Sequence, residues 1–342
     1  YTVLQAGTAL AAGAPGTFQT FTVGGNALGA GMTLTPTLSG DSKSLILTAA
    51  LNQDSRKKIW GGASGTWNYT NTNWRASGSA VNFVLADAAL FDGTGAANQT
   101  VTLGGASINP SGLRVTGSAN YTLTGAALRI DSAAATGTAV PALAYKDKLV
   151  KDGSGTLTLN TGSFANPNRI NTIAINSGVL ALGDGFALEP LAGRSEMKGN
   201  GGALNLLGTA RLVNTDLDLA NAFSLGSGNT LILSGSTLDK HNTHLHMTGG
   251  GTLVSAGTGN RLQRTTLNVN GGKLTVNLGS TLTLDANSTF ALNSGTLSFG
   301  VGAGNASGII NMTANTTTAP TFAGSNTLDI STWIPGSYTV LQ

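Results

Sequence analysis

Along the second half of this chain, apolar residues alternate with Thr, Ser or Asn, and each alternating run follows a glycine. The runs are Gly155-Thr-Leu157-Thr-Leu159, Gly178-Val-Leu180-Ala-Leu182, Gly202-Ala-Leu204-Asn-Leu206, Gly251-Thr-Leu253, Gly272-Lys-Leu274-Thr-Val276 and Gly295-Thr-Leu297-Ser-Phe299, with Leu231-Ile-Leu233 as a looser copy. A period of two is that of a strand with one face turned inward. The first apolar positions are 157, 180, 204, 231, 253, 274 and 297, in steps of 23, 24, 27, 22, 21 and 23 residues. A fixed period of roughly 20 to 50 residues marks a solenoid. A second apolar pair precedes several runs, at Ile173-x-Ile175, Leu245-x-Met247, Leu267-x-Val269 and Phe290-x-Leu292. Between the pairs, Asn176-Ser-Gly178, Asn270-Gly-Gly272 and Asn293-Ser-Gly295 supply the positive φ that a sharp corner needs.

Each repeat is therefore expected to be a coil of two or three short strands, each strand pairing with its equivalent in the next coil. That is an all-β parallel β-helix with coils of about 21–27 residues, the spread of the steps above. If every residue coiled, about 15 coils at roughly 4.8 Å each would give a rod on the order of 70 Å long. The pattern loosens before residue 150, where Val101-Thr-Leu103, Tyr121-Thr-Leu123 and Leu128-Arg-Ile130 keep the same strand type. The charged break Asp54-Ser-Arg-Lys-Lys58 is the best internal boundary.

Composition agrees with strands and disfavours helices. Glycine accounts for 49 of 342 residues and charged residues for 10%, with glutamate only at Glu189 and Glu196. Good helix formers are thus scarce. A net charge of +3, with no basic cluster larger than Arg56-Lys57-Lys58, argues against nucleic-acid binding. No apolar run reaches the length of a membrane span, so no membrane insertion is expected, and any export signal is expected outside this chain. There is no cysteine.

The pentapeptide Tyr-Thr-Val-Leu-Gln occurs twice, at Tyr1–Gln5 and Tyr338–Gln342, which is a period of 337 residues. The expectation is one period of a fibre, either a tandem-repeat chain or a subunit joined head to tail to identical copies. Tyr1, Val3, Leu4, Tyr338, Val340 and Leu341 are then the expected unit junction. A charge at Val340 or Leu341 should enter an apolar column there and block fibre growth.

Residues 149–183, from Leu149-Val-Lys151-Asp-Gly153-Ser-Gly155-Thr-Leu157-Thr-Leu159 to Leu182, resemble the autotransporter-associated β-strand repeat of bacterial surface proteins. Trp60-Gly-Gly-Ala-Ser-Gly-Thr-Trp67, Asn73-Trp74 and Ala89-Leu-Phe91-Asp92-Gly93 resemble the segment that precedes such repeats, and Gly336-Ser-Tyr338-Thr-Val-Leu resembles the one that closes them. The resemblance implies an exported right-handed parallel β-helix at a bacterial cell surface, serving structure or adhesion. It divides the chain into 1–54, a closing or junction segment continuing from a preceding unit; 55–148, a Trp-rich lead-in with the first coils; and 149–342, the regular repeats ending in the junction strand.

Chemistry is sparse. Parallel β-helices also carry polysaccharide-cleaving sites built from Asp with Arg or Lys, and Asp216-Leu-Asp218 puts two carboxylates on one strand face, but with no cationic neighbour in sequence. His244 and His246 share a face near Asp239 and His241, which suits a metal site by residue type, but with Leu245 and Met247 at the inward positions an exposed polar face is the expectation. No cofactor or metal is expected. Trp60, Trp67, Tyr69 and Trp74 either stack on carbohydrate or cover the end of the first coils. The leading expectation is a non-catalytic filament subunit. An adhesin that binds glycans or a partner surface stands second, and a polysaccharide-cleaving enzyme third.

Overall fold

Alternating strands with glycine corners bury their apolar face only by wrapping it around an axis and stacking coil on coil. The computed structural model describes residues 56–330 and 337–342, apart from 62, 86, 95–97, 132–144, 222 and 314–318, and before them little more than short strands between Thr2 and Leu51. The described chain is nearly all β and winds into a parallel β-solenoid. One coil consists of Thr172–Ile175, Val179–Gly183 and Phe186–Leu188. The next is Ser195–Gly199, Ala203–Leu207 and Thr209–Val213. Between them Ile173 pairs with Met197, Leu180 with Leu204 and Leu188 with Leu212. The cross-section therefore has three faces.

On the first face the inward column runs Leu113, Leu149, Ile173, Met197, Leu217, Leu238, Leu262 and Leu284, each in register with the next. All are buried in one continuous core. From Lys57–Trp60 to Ile309–Asn311 this face stacks eleven parallel strands. Ten steps of roughly 4.8 Å make it about 50 Å long. This is shorter than full coiling predicts, and before residue 57 the described strands Thr2–Gln5, Ser44–Leu51 and Met32–Leu38 form an antiparallel three-stranded sheet in place of parallel coils.

The repeat read from sequence as one column is two. Leu157, Leu180 and Leu204 lie on the second face. Leu231, Leu253, Leu274 and Leu297 lie on the third, whose preceding member is Ala210. The 27-residue step from 204 to 231 is where the motif passes from one corner of the triangle to the next. A glycine followed by alternating leucines announces a strand after a tight corner, and any of the three corners satisfies it.

The corners obey the expected chemistry with one change. Gly178 and Gly271 hold φ of 67° and 72°. In the third corner Ser294 takes the positive φ, at 50°. Gly295 serves there by its size, since a Cβ would lie 2.8 Å from the Leu292 and Val269 side chains. Outside the corner a polar ladder climbs the axis: Asn176 Nδ2 donates to Asp152 Oδ1 at 2.8 Å and Asn200 Nδ2 to Asn176 Oδ1 at 2.9 Å. Inside, buried Asn168 links several strands. Its amide donates to the Thr161 and Ala187 carbonyls, and its Oδ1 accepts from Leu128 N and Thr161 Oγ1. Four satisfied bonds offset the cost of burying an amide.

Two lysines break the apolar rule. Lys151 and Lys240 are fully buried at the ends of first-face strands. Lys151 Nζ donates to the Asp152 and Gly153 carbonyls at 2.9 Å and to Ser177 O of the next coil at 3.3 Å. Lys240 Nζ donates to Leu219 O at 2.8 Å and to Asn221 O. Each ammonium thus gathers corner carbonyls that the strand ladder leaves over. Burial lowers the Lys240 pKa from 10.5 to about 8. Between those values the folded state holds fewer protons than the unfolded one, so this group makes stability rise as pH climbs from about 8 towards 10.5. Lys240→Met is expected to reduce by about 2 kcal/mol the gain in unfolding free energy between about pH 7.5 and about pH 10. Urea titrations of both proteins at the two pH values measure this, and identical gains would refute the assignment.

Candidate functional site at the open end of the solenoid

The two ends of the column are built differently. At the first end, Trp60, Trp67, Trp74, Phe83 and Phe91 are buried against one another. Trp67 lies 4.8 Å from Trp74 and 4.9 Å from Phe83, both edge-on, and Trp60 stacks on Phe91 at 5.7 Å. Beyond Lys57–Trp60 the sheet continues as an antiparallel hairpin, Trp74–Ala76 with Ser79–Val81, turned by Ser77 and Gly78 at positive φ. Indoles are large enough to plug the end of an apolar column. Behind the plug, Asp87 accepts from Arg56 Nε at 3.0 Å and from Val84 N at 2.9 Å, with Lys58 Nζ at 4.0 Å. Burial pushes the Asp87 pKa up, against the pull of Val84 N–H and the two cations.

The expected aromatic platform is thus interior. Trp60, Trp67 and Trp74 are buried, and Tyr69 is partly buried against the same core while accepting from Asn109 N at 3.0 Å. The ring faces are spent on each other and are buried instead of being presented together at the surface. Trp60 and Trp74 do border a cavity of about 200 Å³ with Asn73 and Arg75. That volume falls below the roughly 300 Å³ at which ligand pockets begin.

At the other end nothing of the kind is present among the described residues. The last strands are Thr321–Ala323 on the second face and Thr327–Ile330 on the third, each paired on one edge only. Phe322 stands in register with Leu292, Leu328 with Leu297, and Ile330 with Phe299. They occupy inward columns, yet Phe322 is 54%, Leu328 61% and Ile330 42% exposed, against 3% for Leu292 and 2% for Phe299. Outside this coil, Asp329 accepts from Lys273 Nζ at 2.8 Å and Ser298 Oγ at 3.0 Å, and the Lys273 ammonium, then Ser298, hold its carboxyl below the usual range. The edge strand is thereby pinned outside and apolar inside. Sequence reading missed these three residues, although Thr327-Leu-Asp-Ile330 carries the same period of two.

The first face ends on the repeated pentapeptide. Leu341 bridges Ile310 in parallel, with Ile310 N donating to Val340 O at 2.9 Å and Gln342 N to Ile310 O at 3.1 Å. Val340 packs against the core, whereas Leu341 is 37% exposed and Tyr338 half-buried. Of the other expected junction residues, Tyr1 lies outside the described residues. Val3 and Leu4 belong to Thr2–Gln5, which pairs antiparallel with Ser44–Leu51. The first copy of the pentapeptide thus lies in an antiparallel sheet, and the second meets the solenoid at a single parallel bridge.

The acidic strand Asp216-Leu-Asp218 has partners that sequence distance hid. Arg194 makes a two-pronged contact to Asp216, at 2.8 and 2.6 Å. His241 Nε2 contacts Asp218, and Arg264 clasps Asp239. Arg194 holds Asp216 below the usual carboxylate range. At Asp239 burial acts upward but Arg264 and the His241 N–H outweigh it, and the net shift is down. His244 and His246 are exposed and stack on each other at 5.1 Å. Among the described residues no three metal-binding side chains converge, and no helix is long and apolar enough to cross a membrane. Comparison of the chain with family models, curated proteins and solved structures gave no match.

Proposed function

We propose that this protein is a non-catalytic structural unit of an extracellular filament or surface fibre, joined to identical units through the ends of the solenoid. The observation that carries the reading is the open end, where Phe322, Leu328, Ile330 and Leu341 continue inward columns with no coil above them among the described residues. Open strand edges with an apolar column pair with another chain unless they are covered. A contact between unlike ends does not close on itself and so extends. The resemblance of residues 149–183 to the autotransporter-associated repeat supports a place on a bacterial cell surface. Catalysis draws less support: Asp216, one carboxylate of the candidate pair, is engaged by Arg194 in a two-pronged ion pair that holds it below the usual carboxylate range.

A denaturing gel run beside negative-stain microscopy of the native material tests the reading. Filaments are the expected result: dissolving to a band near one unit they are a non-covalent polymer, and persisting as one very large chain they are a tandem repeat. A monodisperse single chain at high concentration, with no fibre in any field, would overturn it.

A further inference from the structure

The open end leaves one question that the pentapeptide answers: which strand covers it. Tyr1–Gln5 and Tyr338–Gln342 are identical in sequence. The first copy has a partner strand, Ser44–Leu51, with Thr2 opposite Ile46, Leu4 opposite Leu45 and Gln5 opposite Ser44. That partner is itself paired from Leu45 to Leu51 with Met32–Leu38. The second copy is held by Ile310, by Met312 N donating to Gln342 O at 2.6 Å and by Ser307 Oγ donating to Thr339 O at 2.7 Å, and no second strand among the described residues pairs with it.

We propose that Ser44–Leu51 of a second copy pairs antiparallel with Tyr338–Gln342, placing Ile46 opposite Thr339, Leu45 opposite Leu341 and Ser44 opposite Gln342. The hairpin of Met32–Leu38 and Ser44–Leu51 then exchanges one Tyr-Thr-Val-Leu-Gln strand for another. Because the exchanged strands are identical, local backbone pairing is conserved and the exchange costs little. This is the condition under which strand swapping links copies of one chain. The gain comes from the end itself: the incoming hairpin shields Leu341 and the neighbouring apolar ends of Phe322, Leu328 and Ile330 from water. An antiparallel hairpin also suits a solenoid end, because its second strand does not continue the parallel template. The plugged end already uses this device in Trp74–Ala76 and Ser79–Val81.

The inference rests on the end-to-end reading above, and its test separates the two. The chain has no cysteine, so two full-length variants, Ser44→Cys and Gln342→Cys, each carry a single thiol. Directly opposed antiparallel residues have Cα atoms about 4.5–5.5 Å apart, within reach of a disulfide. The variants are mixed unfolded, refolded together, assembled and oxidised. The expected product is a dimer of mass twice 34.2 kDa whose linking peptide joins positions 44 and 342. Thr339→Cys mixed with Ile46→Cys reads the same register if Gln342→Cys disturbs the end. Assembly without either link overturns the strand exchange and leaves the end-to-end reading standing. Failure to assemble, seen by sedimentation for wild type and variants alike, overturns both.

Discussion

Leu328→Asp is expected to abolish end-to-end association while leaving the single chain's stability almost unchanged. Leu328 is 61% exposed in the single chain, so a carboxylate there stays hydrated. Surface substitutions of this kind shift stability by about 0.5 kcal/mol or less. In an assembled column the same carboxylate would lose its water with no cation opposite, since the nearest paired charges, Lys273 and Asp329, lie on the outer side of the strand. An unpaired buried charge costs several kcal/mol. A loss of about 3 kcal/mol is already more than 100-fold in affinity. Sedimentation velocity at matched concentrations reads the association, and urea denaturation reads the fold. Filaments of wild-type length from Leu328→Asp would remove this end from the junction.

Trp67→Ala is expected to do the reverse. Trp67 is fully buried and touches Trp74, Phe83 and Phe91. Truncating such a ring costs about 3–5 kcal/mol, because the neighbours collapse only in part into the space left. In a solenoid each coil contacts chiefly its neighbours, so the loss stays near the plug. Amide exchange should accelerate at Trp60, Phe91 and Tyr121 and change little at Leu274 or Leu284. The open end is untouched, so the variant should still associate at temperatures where it is folded. A cost below about 1 kcal/mol would mean that the aromatic cluster is not the plug described.

The repeat unit was legible because strand alternation, glycine corners and a near-constant step are all local. Its assignment to faces was not, since the motif reports a corner without saying which. The charge pairs were hidden for a related reason. Arg194 and Asp216 are 22 residues apart and touch because that interval is one coil. A reading that looks for partners beside Asp216 in sequence cannot find them, whereas one that looks a coil away can. Lys151 and Lys240 at inward positions contradict any binary pattern, and only the corner carbonyls they gather explain them. The sequence leaves the tryptophans open between a sugar stack and cover for the first coils, and it does not show that Trp60, Trp67 and Trp74 are buried. Their depth came from the hairpin Trp74–Val81 folding back antiparallel, which short alternating runs do not announce.

The different ends of the column also give folding a direction in time. Each coil finds its partner about one coil back in the chain, so loop closure is similar at every step and no step waits for a distant segment. Nucleation is favoured where the largest rings meet, at the plug, and ordering then spreads coil by coil as a front. At every stage that front consists of a half-paired strand over an uncovered leucine layer. The described coils end on such a front at Phe322, Leu328 and Ile330. Joining the next unit is therefore the same elementary event as adding the next coil, with the new strand supplied by a different molecule. The rate of fibre growth should accordingly respond to temperature and denaturant as the folding rate of a single coil does.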